Sequence, residues 1–281
     1  MEPSKEASPT TYSHKAGTPH GPSERQRPEP TSVVSRIQSH MNDSVRPSTY
    51  AELELLLLTF CTGIQDAVSF PDYHCFASNQ TGNTVFLMLA IVLPSFDGPM
   101  FITANIGAAL GFFLAAGWLT GQLSHLVGAR RRWWLVFCNF FQACLVFAAA
   151  AIQLVYGTEL RGIPAVTSIA LLAFASGSQV VQSRSLAMTE ISTAMATAAW
   201  VDLMMDPHMF RVKNNRARDR RVSFLLALAV GCLAGAGIYK TAGSAAAIFV
   251  SASGKMLVTV MYLFNGAERS KEEDAEGGSL N

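Results

Sequence analysis

Asp66 is the residue of this chain with the most chemistry to offer, because of where it stands. It follows Gln65 late in the run AELELLLLTFCTGIQDAVSF (51–70). A carboxylate among lipid-facing residues is costly unless it is paired or faces water, so it marks a candidate site for a proton, a cation or a polar ligand. The alternative is an interfacial, solvated Asp66 just ahead of Pro71. Lys255, within AAAIFVSASGKMLVTVMYLF, is the other charge deep in an apolar run. It could snorkel along its own stem, or pair with Asp66 or Glu190.

The second cluster is NQTGNT (79–84), which leads into VFLMLAIVL. If the run 81–94 dips into a bilayer as a half-helix, its first amides need partners at depth. Asn79, Thr81 and Asn83 can cap them, and Gly82 permits close backbone approach. The N-terminus of such a helix also carries partial positive charge that suits an anion or a polar ligand group. Thr189, Ser192, Thr193 and Thr197 stand in the same relation to the short run 190–205. Capping and interhelical hydrogen bonding alone would also account for both clusters.

These residues need a scaffold of helices, and the composition supplies one. Of 281 residues, 50% are hydrophobic, concentrated between residues 51 and 265. Runs 51–70, 101–124, 133–156, 165–183, 222–240 and 243–264 each approach or exceed the roughly 20 residues that a spanning helix needs. Runs 81–94 and 190–205 are short. Residues 1–50, rich in Pro, Ser, Glu, Lys and Arg, read as a disordered N-terminal tail, and the acidic end 266–281 reads likewise. No apolar stretch near the start resembles a secretory signal. Basic clusters at Arg130–Arg132 and between Arg211 and Arg221 share one side, with both tails, only if the short runs add no crossings. Lys and Arg mark cytoplasmic loops. The expected fold is therefore all-α: a polytopic membrane bundle of about six spanning helices with two short re-entrant or broken ones.

The pattern also occurs twice. GIQDA (63–67) is answered by GSQVV (177–181), each late in a spanning run and ahead of a short, Thr-bearing one. ANIGAALG (104–111) is answered by AVGCLAG (229–235), and Gly107/Gly111, Gly117/Gly121 and Gly231/Gly235 have the spacing of close helix packing. Repeat 1 covers about 51–156 and repeat 2 about 165–264. With three crossings each, the halves have opposite orientations, the layout of many secondary transporters whose sites lie at helix breaks.

TGIQDAVSF, CFASNQTGNTVFL and FASGSQVVQSR with TEISTAMAT downstream resemble the YoaK-type family of small multi-pass membrane proteins. Its members share a G-x-x-D-A, a T-G-N and a second-half G-x-Q element. The similarity covers about residues 52–264, and the long polar tail resembles those of fungal members. The resemblance implies a fold and a membrane address rather than a substrate. Val180 follows Gln179 where the family usually has Asn, so the two halves depart from strict polar symmetry.

Other function classes find no support. His74, His125 and His208 fall in expected loops, and no HExxH, Ser/His pairing or glycine-rich phosphate loop is present. The five cysteines lack CxxC spacing and read as packing residues. The expectation is thus no enzyme, no cofactor, no metal site and no nucleic acid, with the lipid bilayer as environment. The function expected is secondary transport of a small polar solute or ion by alternating access. The rival is a non-transporting scaffold or sensor that signals through its tails. Gln65, Asp66, Thr81, Gly82, Asn83, Gln179, Thr193 and Thr197 are expected to line one polar substrate cavity.

Overall fold

In the computed structural model, residues 32–210 and 215–267 are described. They form nine α-helices: α1 (Val33–Asn42), α2 (Thr49–Tyr73), α3 (Gln80–Val92), α4 (Thr103–Val127), α5 (Arg132–Tyr156), α6 (Ile163–Ser185), α7 (Ala196–Met204), α8 (Arg216–Ala242) and α9 (Ser244–Leu263). No named strand occurs among the described residues. Helices α2, α4, α5, α6, α8 and α9 are long and apolar enough to cross a membrane. The protein is a polytopic helical membrane protein.

Local chemistry sets the helix ends. Ser48 and Asn215 cap α2 and α8 by accepting from the amides of Ala51 (3.2 Å) and Arg218 (3.1 Å). Gly157 and Gly243 terminate α5 and α8 with positive φ, a conformation that costs glycine little. Several boundaries differ from the sequence reading. Helix α2 runs through Pro71 to Tyr73, because a proline in the last turn removes only one terminal bond. Helix α4 continues to Val127, so His125 lies in a helix rather than a loop. The arginines from Arg216 to Arg221 form the first turns of α8, whereas Arg211 and Lys213 lie outside the described residues.

The expected tail boundary at residue 50 also needs correction. Residues 1–31 are outside the described range, but 33–42 are helical and Val45 is fully buried. The Val45 amide donates to the Arg130 carbonyl (2.9 Å), and the Arg46 amide donates to that of Gly266 (3.0 Å). The buried Arg132 guanidinium donates to the carbonyls of His40 and Asn265, the latter at 2.6 Å. The segment is short of apolar residues, yet main-chain bonding and one arginine fix it. At the other terminus, residues 266 and 267 are similarly engaged, and 268–281 lie outside the described residues.

These contacts sort the chain ends. One end of the bundle gathers residues 40–46, the α4–α5 loop, the ends of α6 and α9, and the start of α8. Glu52 at the start of α2 there pairs with Arg216 (2.6 Å) and Arg220 (2.7 Å). The opposite end gathers the end of α2, the start of α4, the α5–α6 loop and the start of α9. Asn105 donates to the Tyr73 carbonyl (3.0 Å) and the Leu160 carbonyl (2.9 Å), and the Ser244 hydroxyl donates to Asp72 and lies 2.9 Å from Gln153 Oε1. The six long helices therefore alternate in direction. Most described arginines sit at the first end, the side on which the sequence reading expects both basic clusters and both tails.

The packing is interleaved. Helix α2 lies against α8 and α9 of the other repeat, and α6 lies against α4 and α5. Helix α5 packs on α9, α3 on α4, and α7 on α8. Exchanging α2 with α6, α3 with α7, α4 with α8 and α5 with α9 leaves this pattern unchanged. Glycines set the tightest contacts. A Cβ on Gly63 would stand 2.5 Å from the Leu228 carbonyl oxygen, and one on Gly177 would overlap that of Phe113. Gly231 and Gly235 face the α2 backbone at Phe60 and Ile64. Gly107, Gly111 and Gly121 meet nothing within 4 Å, so the expectation of close packing there is not met. On α4 the inward small residues are Ala109, Ala116, Thr120 and Ser124.

Candidate functional site

The loop between α2 and α3 turns back into the bundle. Seven residues beyond Asp66 the helix ends at Tyr73, yet Ser78 returns to meet Asp66. Its amide donates to Oδ1 (2.9 Å) and its hydroxyl to Oδ2. The return therefore spans about 10 Å along the helix axis. Three further bonds hold the loop. Asn83 accepts from the Phe76 amide (2.9 Å) and donates to the Phe76 carbonyl (2.8 Å) and to Gln80 (2.9 Å). Asn79 caps α3 by accepting from the Gly82 amide (3.3 Å). Helix α3 then climbs back, with Phe86 near Phe70 and Phe101. At 13 residues it is about 20 Å long, less than the roughly 30 Å hydrocarbon core. It is a re-entrant helix.

The second break is built differently. After α6 the chain runs through Leu186, Met188 and Ile191, all buried, and returns so that Thr193 Oγ1 lies 3.5 Å from Ser183 Oγ. Ser192 closes a tight turn by bonding the Met195 amide and carbonyl (3.1 Å each). Helix α7 has no side-chain cap. Thr193 has φ 56°, which a β-branched residue adopts only under strain, so the surrounding packing imposes this turn.

The two breaks meet at one cavity of about 620 Å³. Asp66, Ser78, Asn79, Gln80, Thr81 and Gly82 line it from the first repeat, and Val180, Val181, Arg184 and residues 194–198 from the second. Phe113 of α4 and Leu228 of α8 form its side walls. These two residues meet Gly63 and Gly177, which are equivalent in the two repeats, so the cavity straddles the axis that relates them. Thr62 and Gln179 are 2.9 Å apart, which fixes the level where α2 and α6 cross. Asp66 lies one turn, about 6 Å, from that level and Arg184 about 8 Å on the other side.

The eight expected site residues separate into two groups. Asp66, Thr81, Gly82 and Thr197 line the cavity. Asn83 is fully buried and holds the loop behind it, and Thr193 is buried against Ser183. Gln65 and Gln179 turn the other way, into the seam with α9. Gln65 donates to Ser251 (2.8 Å), and Gln179 donates to Thr62 and accepts from Lys255. Lys255 is fully buried with that amide as its partner, so the expected alternatives of pairing with Asp66 or Glu190, or of snorkelling, are not realised. Glu190 instead bonds Arg220 (3.3 Å).

Sequence reasoning passed over Ser78, Arg184, Met195, Phe113 and Leu228. Only Arg184, a charge ending the GSQVVQSR run, carried a visible signal. Glu54 was also passed over, a fully buried carboxylate that accepts from Asn265 (2.7 Å) at the arginine-rich end of the bundle. Among the described residues, no group of three His, Cys, Asp or Glu is placed to hold a metal. Asp206, between α7 and α8, has its carboxyl held below the usual range by Asn215 and the His208 amide, which ties down that turn.

No curated protein and no solved structure matches the chain. A protein family does match, over residues 55–261, from the second turn of α2 to the last turn of α9. With both re-entrant breaks and all the cavity walls inside that range, the chain belongs to the family DUF1275, described as proteins of unknown function.

Proposed function

We propose that the protein is a secondary transporter that moves a small solute bearing a polar or charged group by alternating access. One observation carries this reading: two helix breaks, one from each interleaved repeat, meet at a single cavity that holds the Asp66 carboxylate. Breaks of this kind expose backbone and side-chain polar groups at depth, where a bilayer tolerates them only around a cavity or inside protein. Rocking of the α2–α8 pair against the α4–α6 pair would expose the cavity to each side in turn. No enzymatic step is assigned to it. The T-G-N and G-x-x-D-A elements support the finer likeness to YoaK-type members, since Asn83 and Asp66 shape the first break.

The experiment is flux into liposomes that contain the purified protein. A labelled small-metabolite extract is offered with and without an imposed proton gradient. Protein-dependent accumulation of at least one solute supports transport, and no flux under either condition defeats it. A scaffold or sensor role is favoured by a different observation, the clasp of residues 40–46 on the cytoplasmic face. Recruitment of soluble partners by the tails, in the absence of flux, is its signature.

A further inference from the structure

The cavity's two halves are related by the repeat, yet their chemistry is opposite. Where the first repeat places Asp66, the second places Val180. Where the first break contributes Ser78, Asn79, Gln80 and Thr81, the second contributes Ala194, Met195, Ala196 and Ala198, with Thr197 as its polar member and Arg184 of α6 as the one charge on that side. An inorganic ion or a wholly polar solute would meet half a cavity unable to replace its hydration, at a cost of several kcal/mol. A ligand with one charged end and one hydrocarbon end would meet partners along its whole length.

The charge of the polar end follows from Asp66. Both its oxygens accept from Ser78, but a carboxylate oxygen has two acceptor positions, so each can take a further donor. No ion pair of Asp66 occurs among the described residues, and Arg184, the other charged residue on the wall, lies about 14 Å away along the helix axis. The Arg184 guanidinium contacts the Met195 sulfur (3.2 Å) on the second repeat's wall, at the far end of the cavity lining from Asp66 along the helix axis. The polar end therefore offers an uncompensated acceptor. A volume of about 620 Å³ falls in the range of small-molecule sites. The approach also fits. Helices α4 and α8 do not pack on one another, so between Phe113 and Leu228 the cavity is closed only by the starts of α3 and α7. A gap on the flank of a spanning bundle opens towards the hydrocarbon of a bilayer, where an amphiphile concentrates.

We infer that the ligand is a small cationic amphiphile, an amine whose ammonium group sits on Asp66 and the first break while its hydrocarbon part lies against Val180, Met195, Phe113 and Leu228. The inference rests on the transport reading for the choice of site, but its test is equilibrium binding and does not require flux.

Four probes separate the contributions: 2-phenylethylammonium, methylammonium, 2-phenylethanol and phenylacetate. Each is titrated calorimetrically into the full chain in lipid nanodiscs, with empty nanodiscs as the partition blank. The expected result is that 2-phenylethylammonium binds at least about tenfold more tightly than any of the other three. Asp66→Asn should remove the preference for the ammonium over the alcohol, and Met195→Gln should reduce the preference for phenylethyl over methyl. The four-probe comparison on the unaltered protein stands even if a variant fails to fold. Equal binding of methylammonium overturns the inference, as does equal binding of the alcohol or the carboxylate, or no binding of any probe. Selective binding without vesicle flux would uphold it and defeat transport. Flux of methylammonium at the rate of the aryl amine would do the reverse.

Discussion

Asn83 and Asp66 divide the work of the first break. Asn83 copies a backbone pairing, meeting both the amide and the carbonyl of Phe76, whereas Asp66 receives the returning chain at Ser78. Replacing Asp66 by Asn keeps an oxygen for the Ser78 amide and removes the charge. The expected outcome is loss of solute flux, at least about tenfold, with the melting temperature in detergent shifted by no more than a few degrees. Full activity of the variant would remove Asp66 from the mechanism. Gly82→Leu acts through shape: even a Cβ there stands 3.2 Å from the Phe76 ring, so a larger side chain must displace that ring and close the cavity. The polar character of both breaks was legible, because Asn, Thr and Asp in apolar surroundings are costly wherever they point. Their direction was not. Gln65 and Asp66 are adjacent, so on a helix they point about 100° apart, and one faces the cavity while its neighbour faces Ser251.

At the scale of helices, glycine spacing and glycine contact proved to be different things. Gly107/Gly111 and Gly231/Gly235 share the same interval, but only the second pair lies under another backbone. The interval says that a helix has a flat stripe, and the bundle decides which stripe is used. Gly177→Ala should therefore cost about 1–3 kcal/mol by forcing α4 and α6 apart. Gly111→Ala, which meets open space, should be neutral or stabilising by up to about 1 kcal/mol through helix propensity. Thermal unfolding of the two variants side by side checks the contrast, and equal losses would contradict the packing described for Gly177. The number and order of spanning helices were legible from run length and charge. A consequence is that a single cysteine at position 129, on a cysteine-free background, should be closed to an impermeant reagent applied from the non-cytoplasmic side of the membrane and open to it from the cytoplasmic side. Labelling from the non-cytoplasmic side would overturn the six-crossing topology.

For the molecule as a whole, the arginine-rich end of the bundle is tied by chain ends as well as by ion pairs. Removing residues 1–31 should leave the melting temperature of the purified protein unchanged. Removing 1–46 strips the His40 carbonyl from Arg132 and the main-chain partners from Arg130 and Gly266. A buried arginine left short of partners costs about 3 kcal/mol or more, so the second deletion should lower the melting temperature by at least several degrees. Equal melting of both truncated proteins would show that the clasp contributes nothing. The composition of residues 1–50 hid this role, since main-chain bonds leave no trace in side-chain chemistry.

Interleaving also dictates a timetable for synthesis. The chain is inserted from its N-terminus, so α2 enters the membrane long before α8 and α9, the helices it packs against, have been made. During that interval Gln65 waits in lipid for Ser251, and Gln179 waits for Lys255, both supplied by α9. A nascent chain in this condition displays the buried polar groups that cellular quality control reads as damage. Stopping translation after residue 243 should therefore give a product cleared much faster than the full chain in a pulse-chase experiment. Equal lifetimes would mean that the earlier helices find other shelter.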